Sequence, residues 1–159
     1  MNQPANRVEL VHGTAIALGE KAALIRGASG SGKSDLALRC IAAPPLAHNP
    51  LRAELLADDQ VCLTLRDGVI EASPPPTIAG RIEVRGLGIV TLPYRPSARL
   101  VLVIDLVPPA EVPRFPLEPV SAIYLGRTVP ALRLSAFEAS ASVKLILALE
   151  EGPAKLTAP

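Results

Sequence analysis

AALIRGASGSGKSDLALRCIA, Ala22 to Ala42, is the stretch that decides the fold. Ala22–Arg26 reads as a short apolar strand. Leu36, Leu38, Ile41 and the neighbouring alanines predict a helix from about Lys33 to Ala42, ended by Pro44-Pro45. Between them Gly27-Ala28-Ser29-Gly30-Ser31-Gly32-Lys33-Ser34 satisfies G-x-x-x-x-G-K-[ST] in full, in the strand–loop–helix context that the motif requires. Its glycines let successive backbone N–H groups point inward as an anion nest, and the helix N-terminus adds its dipole. Lys33 would neutralise charge at the β- and γ-phosphates, and the Ser34 hydroxyl would ligate Mg²⁺. A glycine turn that binds nothing would need neither the complete pattern nor this context. The pattern predicts phosphate binding without saying which phosphate transfer follows.

Outward from the loop the chain alternates short apolar runs with turns. Arg7–Arg26 holds two or three strands, with a turn at Gly19-Glu20-Lys21. After a loop over Ala43–Arg52, Glu54–Ala57 forms a strand ending in Asp58-Asp59. Val61–Leu65 and Val69–Glu71 flank Asp67-Gly68, a hairpin signal. Thr77–Val84 leads into the sharp turn Arg85-Gly86-Leu87-Gly88, and Leu100–Leu106 reads as a buried strand. Val120–Leu125 and Val129–Leu134 look like strands around Gly126-Arg127. Ser135-Ala136-Phe137-Glu138 fits a capping box opening a helix to about Glu150, stopped by Gly152-Pro153. The expectation is one strand-rich α/β domain, with about eight or nine strands and two main helices.

Composition narrows the function. With 159 residues and 49% hydrophobic content the chain can bury a core without disulfides or metals. Aromatics are 3%, so base-stacking platforms are not expected, and a net charge of +1 gives no nucleic-acid signal. Cys40 and Cys62 have no CxxC spacing and read as free thiols, and no apolar run approaches the roughly 20 residues a bilayer needs. The expectation is a soluble cytoplasmic protein that binds neither membrane nor nucleic acid.

Phosphoryl transfer needs an acid facing the metal and a group to orient or deprotonate the nucleophile. Pattern alone offers Asp105, which closes LVLVID, and the pair Asp58-Asp59, which closes ELLADD. Adjacent residues of an extended chain point to opposite faces, so only one of the pair is expected to face the loop. Glu83 is a third acid, and His12 lies upstream beside Gly13. A lone histidine is more often structural, and His48, between prolines, is given no role.

Taken together the chain resembles the C-terminal kinase domain of bacterial HPr kinase/phosphorylase. The match rests on Val11-His12-Gly13, on Gly27–Ser34 with Asp35, on Leu56-Ala57-Asp58-Asp59, and on Ile82-Glu83-Val84-Arg85-Gly86-Leu87-Gly88-Ile89. The last is the most specific, since E-x-RGLGI is not a general feature of phosphate-binding loops. The resemblance covers about residues 8 to 150 of a single domain spanning 1–159, and looks like the short form of α-proteobacteria that lacks the family's N-terminal domain. It implies a P-loop kinase of that fold, using ATP and Mg²⁺ to phosphorylate a serine of HPr and so to regulate the phosphotransferase system. The reverse dephosphorylation and a homo-oligomer, a hexamer in the family, are also implied. By resemblance His12 and Lys33 are catalytic, Ser34 and Glu83 hold Mg²⁺, and Asp59 is the base on the serine hydroxyl. Arg114 is the nearest counterpart of a catalytic arginine. The resemblance demotes Asp105. Three segments depart from the family: Thr91–Pro96 is shorter than its glycine-rich loop, Arg133–Ser140 replaces the segment linked to dephosphorylation, and the loop Ala43–Arg52 replaces the short link between the P-loop helix and the acidic strand. Two other readings of the motif stand beside this one, a P-loop kinase of a small metabolite and a non-catalytic nucleotide sensor.

Overall fold

The computed structural model describes residues 6–116 and 118–152. Eleven strands lie among them: β1 Arg7–His12, β2 Thr14–Leu18, β3 Lys21–Arg26, β4 Ala53–Ala57, β5 Gln60–Arg66, β6 Val69–Ser73, β7 Arg81–Val84, β8 Gly88–Thr91, β9 Ala98–Leu106, β10 Val120–Tyr124 and β11 Arg127–Leu134. The helices are α1, Lys33–Ala42, and α2, Ala141–Glu151, with single 3-10 turns at Pro76–Ile78 and Pro109–Glu111.

Nine strands share one sheet, running β1-β5-β6-β9-β3-β2-β4. Strand β9 organises it. One edge pairs in parallel with β3. The other edge is divided: β6 takes Ala98 and Arg99, and β11 takes Val103 to Leu106. Strand β10 extends β11, while β7 and β8 form a separate hairpin. Central strands are covered on both sides, which is why they read as unbroken apolar runs rather than alternating ones. In β2 and β3, Ile16, Leu18, Ala23 and Ile25 face the helices and join Leu36, Cys40, Leu145 and Leu149. Ala15, Ala17, Ala22 and Leu24 face the other way, towards Leu63, Ile70, Tyr124 and Val129.

Helix α1 buries Lys33, Leu36, Ala37 and Cys40, one stripe at helical spacing. Burial pushes the Cys40 thiol up to about 12, with nearby Arg39 acting weakly against it. Cys40 is therefore a packing residue rather than a nucleophile.

The C-terminal helix begins later than the capping box predicts, at Ala141 instead of after Ser135, and no side chain caps it. Over this stretch the chain makes turns instead: the Glu138 N–H donates to the Ser135 carbonyl and the Ala141 N–H to that of Glu138, and the Arg39 guanidinium donates to the carbonyls of Ala136 and Glu138. The Glu138 carboxylate meets Lys144 at 2.6 Å instead of reaching back to the Ser135 N–H. Gly152 ends the helix with φ +83°, and Pro153 lies outside the described residues. The separate β7–β8 hairpin is the other main addition: past the glycine turn the chain returns as a second strand, Gly88–Thr91, that the sequence pattern does not announce.

Candidate functional site

The loop from Gly27 to Gly32 joins β3 to α1, as the motif requires. Gly32 has φ +96°, and a Cβ there would lie 3.0 Å from both Ala136 and the Phe137 ring. Only glycine meets both demands. Lys33 is 7% exposed, and its ammonium donates to the carbonyls of Gly27 and Ala28 at 2.9 Å each. The lysine is thus folded over its own loop. The Ser31 hydroxyl is buried without a partner.

A cleft of about 500 Å³ opens in front of this loop. It is lined by Ser29, Gly30, Gly32, Lys33 and Ser34 from the loop and α1, and by His12, Asp58, Asp59 and Glu83 from three other segments. The tightest node is Asp58, 7% exposed at the end of β4. One carboxylate oxygen accepts from Ser34 Oγ at 2.7 Å and from Thr14 Oγ1 at 2.9 Å. The other accepts the backbone N–H of Glu83 at 2.9 Å. These donors are neutral, and no lysine, arginine or histidine of the described residues forms an ion pair with Asp58.

Asp59 overturns the expectation that its side chain and that of Asp58 face opposite ways. Its backbone is left-handed, φ +68°, so strand alternation stops there and both carboxylates line the same cleft. The Gly13 N–H donates to the Asp59 carbonyl at 3.0 Å, which ties the turn to the β1–β2 junction. Gly13 itself is packed so closely that a Cβ would sit 2.9 Å from the Ile25 carbonyl oxygen. The Asp59 side chain remains 74% exposed, and one oxygen lies 3.6 Å from Nδ1 of His12. Asp59 therefore stands at the cleft mouth beside the histidine, while Asp58 is held at its floor.

Glu83 is exposed on β7 and reaches the site from the β7–β8 hairpin. Of the residues named from the sequence, Gly27, Ala28 and Ser31 shape the loop from behind rather than line the cleft. Arg114 is not brought to it: the side chain is exposed with its guanidinium 5.2 Å from the Phe115 ring centre. Asp105, the acid that pattern alone offers, is also elsewhere. Both its oxygens are taken by Arg26, at 2.8 and 2.9 Å, and Arg26 also donates to the Tyr124 hydroxyl at 3.1 Å. Asp105 raises the Arg26 pKa above its ordinary value, burial opposes this, and Tyr124 adds to it.

Sequence reasoning missed Asp58 as the Ser34 partner, Thr14 behind it, and Phe137 and Arg85 at the rim. Asp58 had a signal, its place one residue before the chosen acid. Thr14 and Phe137 had none, because their places depend on contacts across the fold.

The cleft fits a divalent cation. Ser34, Asp58 and Glu83 supply only hard oxygen donors, the set Mg²⁺ takes, and the buried Asp58 carboxylate forms no ion pair among the described residues. No helix among the described residues is long and apolar enough to cross a membrane.

A family model described as the HPr Serine kinase C-terminal domain matches residues 3–149. HPr kinase/phosphorylase of Bordetella petrii is 33% identical over 135 residues, covering 78% of this chain and 41% of that protein. The protein of the same name from Clostridium novyi is 37% identical over 83 residues, 52% of this chain and 24% of that protein. The chain thus spans well under half the length of these relatives. The solved structure of the Hpr(Ser) kinase/phosphatase from Coxiella burnetii superposes with a TM-score of 0.73 at 25% identity, over 90% of this chain and 88% of that one.

Proposed function

This chain belongs to the family of the HPr Serine kinase C-terminal domain, and from that premise we propose that it transfers the γ-phosphoryl group of ATP to a serine hydroxyl of HPr. The observation that carries the proposal is the division of labour between the two adjacent aspartates. Asp58 accepts from Thr14, Ser34 and the Glu83 N–H, which fixes its carboxylate at the cleft floor beside the loop and leaves about one lone-pair site open to a cation. Asp59 is exposed, beside His12, and free to accept a proton.

In the proposed reaction the loop N–H groups and Lys33 hold the phosphates of ATP. To do this Lys33 leaves the Gly27 and Ala28 carbonyls or shares its protons with them. Ser34, Asp58 and Glu83 would hold Mg²⁺, which supplies positive charge against the phosphate oxygens. Asp58 accepts a hydrogen bond from the Ser34 hydroxyl and so keeps its O–H turned away, leaving a Ser34 lone pair for the cation. A serine hydroxyl is a poor nucleophile at neutral pH, so a base must take its proton as the bond to phosphorus forms. Asp59 takes that proton, the Oγ–P bond forms, the bond from the γ-phosphorus to the bridging oxygen breaks, and ADP leaves. His12 stands beside the Asp59 carboxylate at the cleft mouth, its Nδ1 3.6 Å from one oxygen. Run backwards, Asp59 returns the proton to the serine oxygen as the phosphoryl group passes to a phosphate acceptor, ADP or inorganic phosphate, which is the dephosphorylation expected of the family. An exposed base at an open cleft suits a hydroxyl presented on a protein surface. Homo-oligomers belong to the same proposal.

The test is purified chain with HPr and ATP, with and without Mg²⁺, read as phosphoserine by mass spectrometry. The expected result is Mg²⁺-dependent phosphoserine. Nucleotide binding without phosphoserine would overturn the HPr reading, and ATP turnover driven by a small hydroxyl compound would replace it.

A further inference from the structure

A second cleft, of about 410 Å³, lies far from the first and is lined by three arginines. Two hairpin turns stand at it, one lining it through Asp67 and Gly68 and the other leading into Arg127. In each, both turn residues have left-handed backbones: Asp67 and Gly68 at φ +50° and +78°, Leu125 and Gly126 at +52° and +75°. That geometry gives tight two-residue hairpins and places the flanking residues at the tip. Arg66 ends β5 before one turn, and Arg127 opens β11 after the other. Arg7 begins β1, opposite Leu65.

The arginines lie against the glycines of these turns. A Cβ on Gly68 would stand 3.4 Å from Nη2 of Arg127, and one on Gly126 would stand 3.9 Å from Nη1 of Arg7. The absence of side chains at the turns thus lets guanidinium groups from three strands gather at one cleft. Their charge is poorly balanced. Arg66 is 3.9 Å from Glu71, but among the described residues neither Arg7 nor Arg127 forms an ion pair. Asp67 is the one acid lining the cleft. Gathered guanidinium groups repel one another, and a multiply charged anion relieves that repulsion while their planar forks bind its oxygens in pairs.

We propose that this cleft binds a small phosphate-bearing anion, free phosphate or a phosphomonoester. It is separate from the P-loop cleft. Arg7 and His12 are the two ends of β1, so the sites stand about 17 Å apart along that strand. The inference does not depend on the reaction proposed for the first site.

Amide NMR spectra of the full chain test it, with phosphate, glycerol phosphate and ionic-strength-matched chloride as titrants. Gly68, Gly126 and Arg127 amides are expected to shift saturably with phosphate or glycerol phosphate and not with chloride. The arm that saturates at lower concentration distinguishes free phosphate from a phosphomonoester. Lys33→Ala should leave these responses intact, whereas the double variant Arg7→Gln, Arg127→Gln should weaken them at least about tenfold and leave the Gly30 and Gly32 responses unchanged. Both arginines are exposed, so the rest of the spectrum should keep its pattern. Silent Gly68 and Gly126 amides, equal shifts with chloride, or unchanged responses in the double variant would overturn the proposal. Saturation by a glutamate-rich peptide but not by phosphate would overturn it in favour of an acidic protein segment.

Discussion

Asp58 at the end of β4 and Asp105 near the end of β9 close similar apolar strands, yet the fold gives them opposite company. Asp105 faces a guanidinium that matches both its oxygens, and the pair is electrically complete. Asp58 faces two hydroxyls and an amide, so its hydrogen bonds are satisfied while its charge is not. A carboxylate paired with arginine holds strands together. A carboxylate that keeps its charge beside a phosphate loop is prepared for a cation. The comparison teaches that the role of an acid at a strand end is set by the donors around it rather than by the strand that carries it.

The hardest test of the comparison is the residue next to Asp58. In the proposed reaction Asp59→Asn lowers phosphoserine formation by about 10²–10⁴-fold while nucleotide binding is kept, because only the proton acceptor is lost. Transfer at the original rate would remove Asp59 from the mechanism. Next come the two strand-end acids themselves, exchanged one at a time. Asp58→Asn is expected to weaken binding of the Mg²⁺–nucleotide pair about 10–100-fold, measured by calorimetry, because the amide nitrogen that replaces one oxygen can neither ligate the cation nor accept a hydrogen bond. Asp105→Asn should do the reverse: nucleotide binding unchanged, and stability in urea lowered by about 1–2 kcal/mol, a value discounted for the partial exposure of the pair. Identical profiles for the two variants would break the comparison.

The smallest effect sharpens it by excluding the acids. Cys40 lies on the helix that carries Ser34, and its thiol is raised from 9.0 to about 12 by burial. Between those values the unfolded chain loses this proton and the folded chain keeps it. Stability is therefore unaffected below pH 9 and falls as pH rises above it, by about 1.4 kcal/mol per pH unit from this group. Urea titrations from pH 8 to 10.5 should show a shallower fall for Cys40→Ala than for the original chain. Equal slopes would mean that the thiol is not protected by burial.

Much of the fold was legible because it is local. Strand β3, the loop and helix α1 follow from glycines, an apolar stripe and a proline stop within about twenty residues. The hairpin at Asp67-Gly68 is read from two residues. The start of the second helix is not legible because the turn before it packs against Arg39, almost a hundred positions away. For the site, the sequence named Lys33, Ser34, Asp59, Glu83 and His12, and the fold brings these to one cleft. It could not divide the work between Asp58 and Asp59, since the left-handed turn at Asp59 has no glycine to announce it.

By itself the sequence determined that a phosphate-binding loop sits between a strand and a helix, because backbone geometry and the side chains that stabilise it are neighbours along the chain. The tertiary structure alone decided which acid meets Ser34, which is neutralised by Arg26, and that three arginines gather at the far end of β1. Those outcomes depend on electrostatics and hydrogen bonding between residues that only folding makes adjacent.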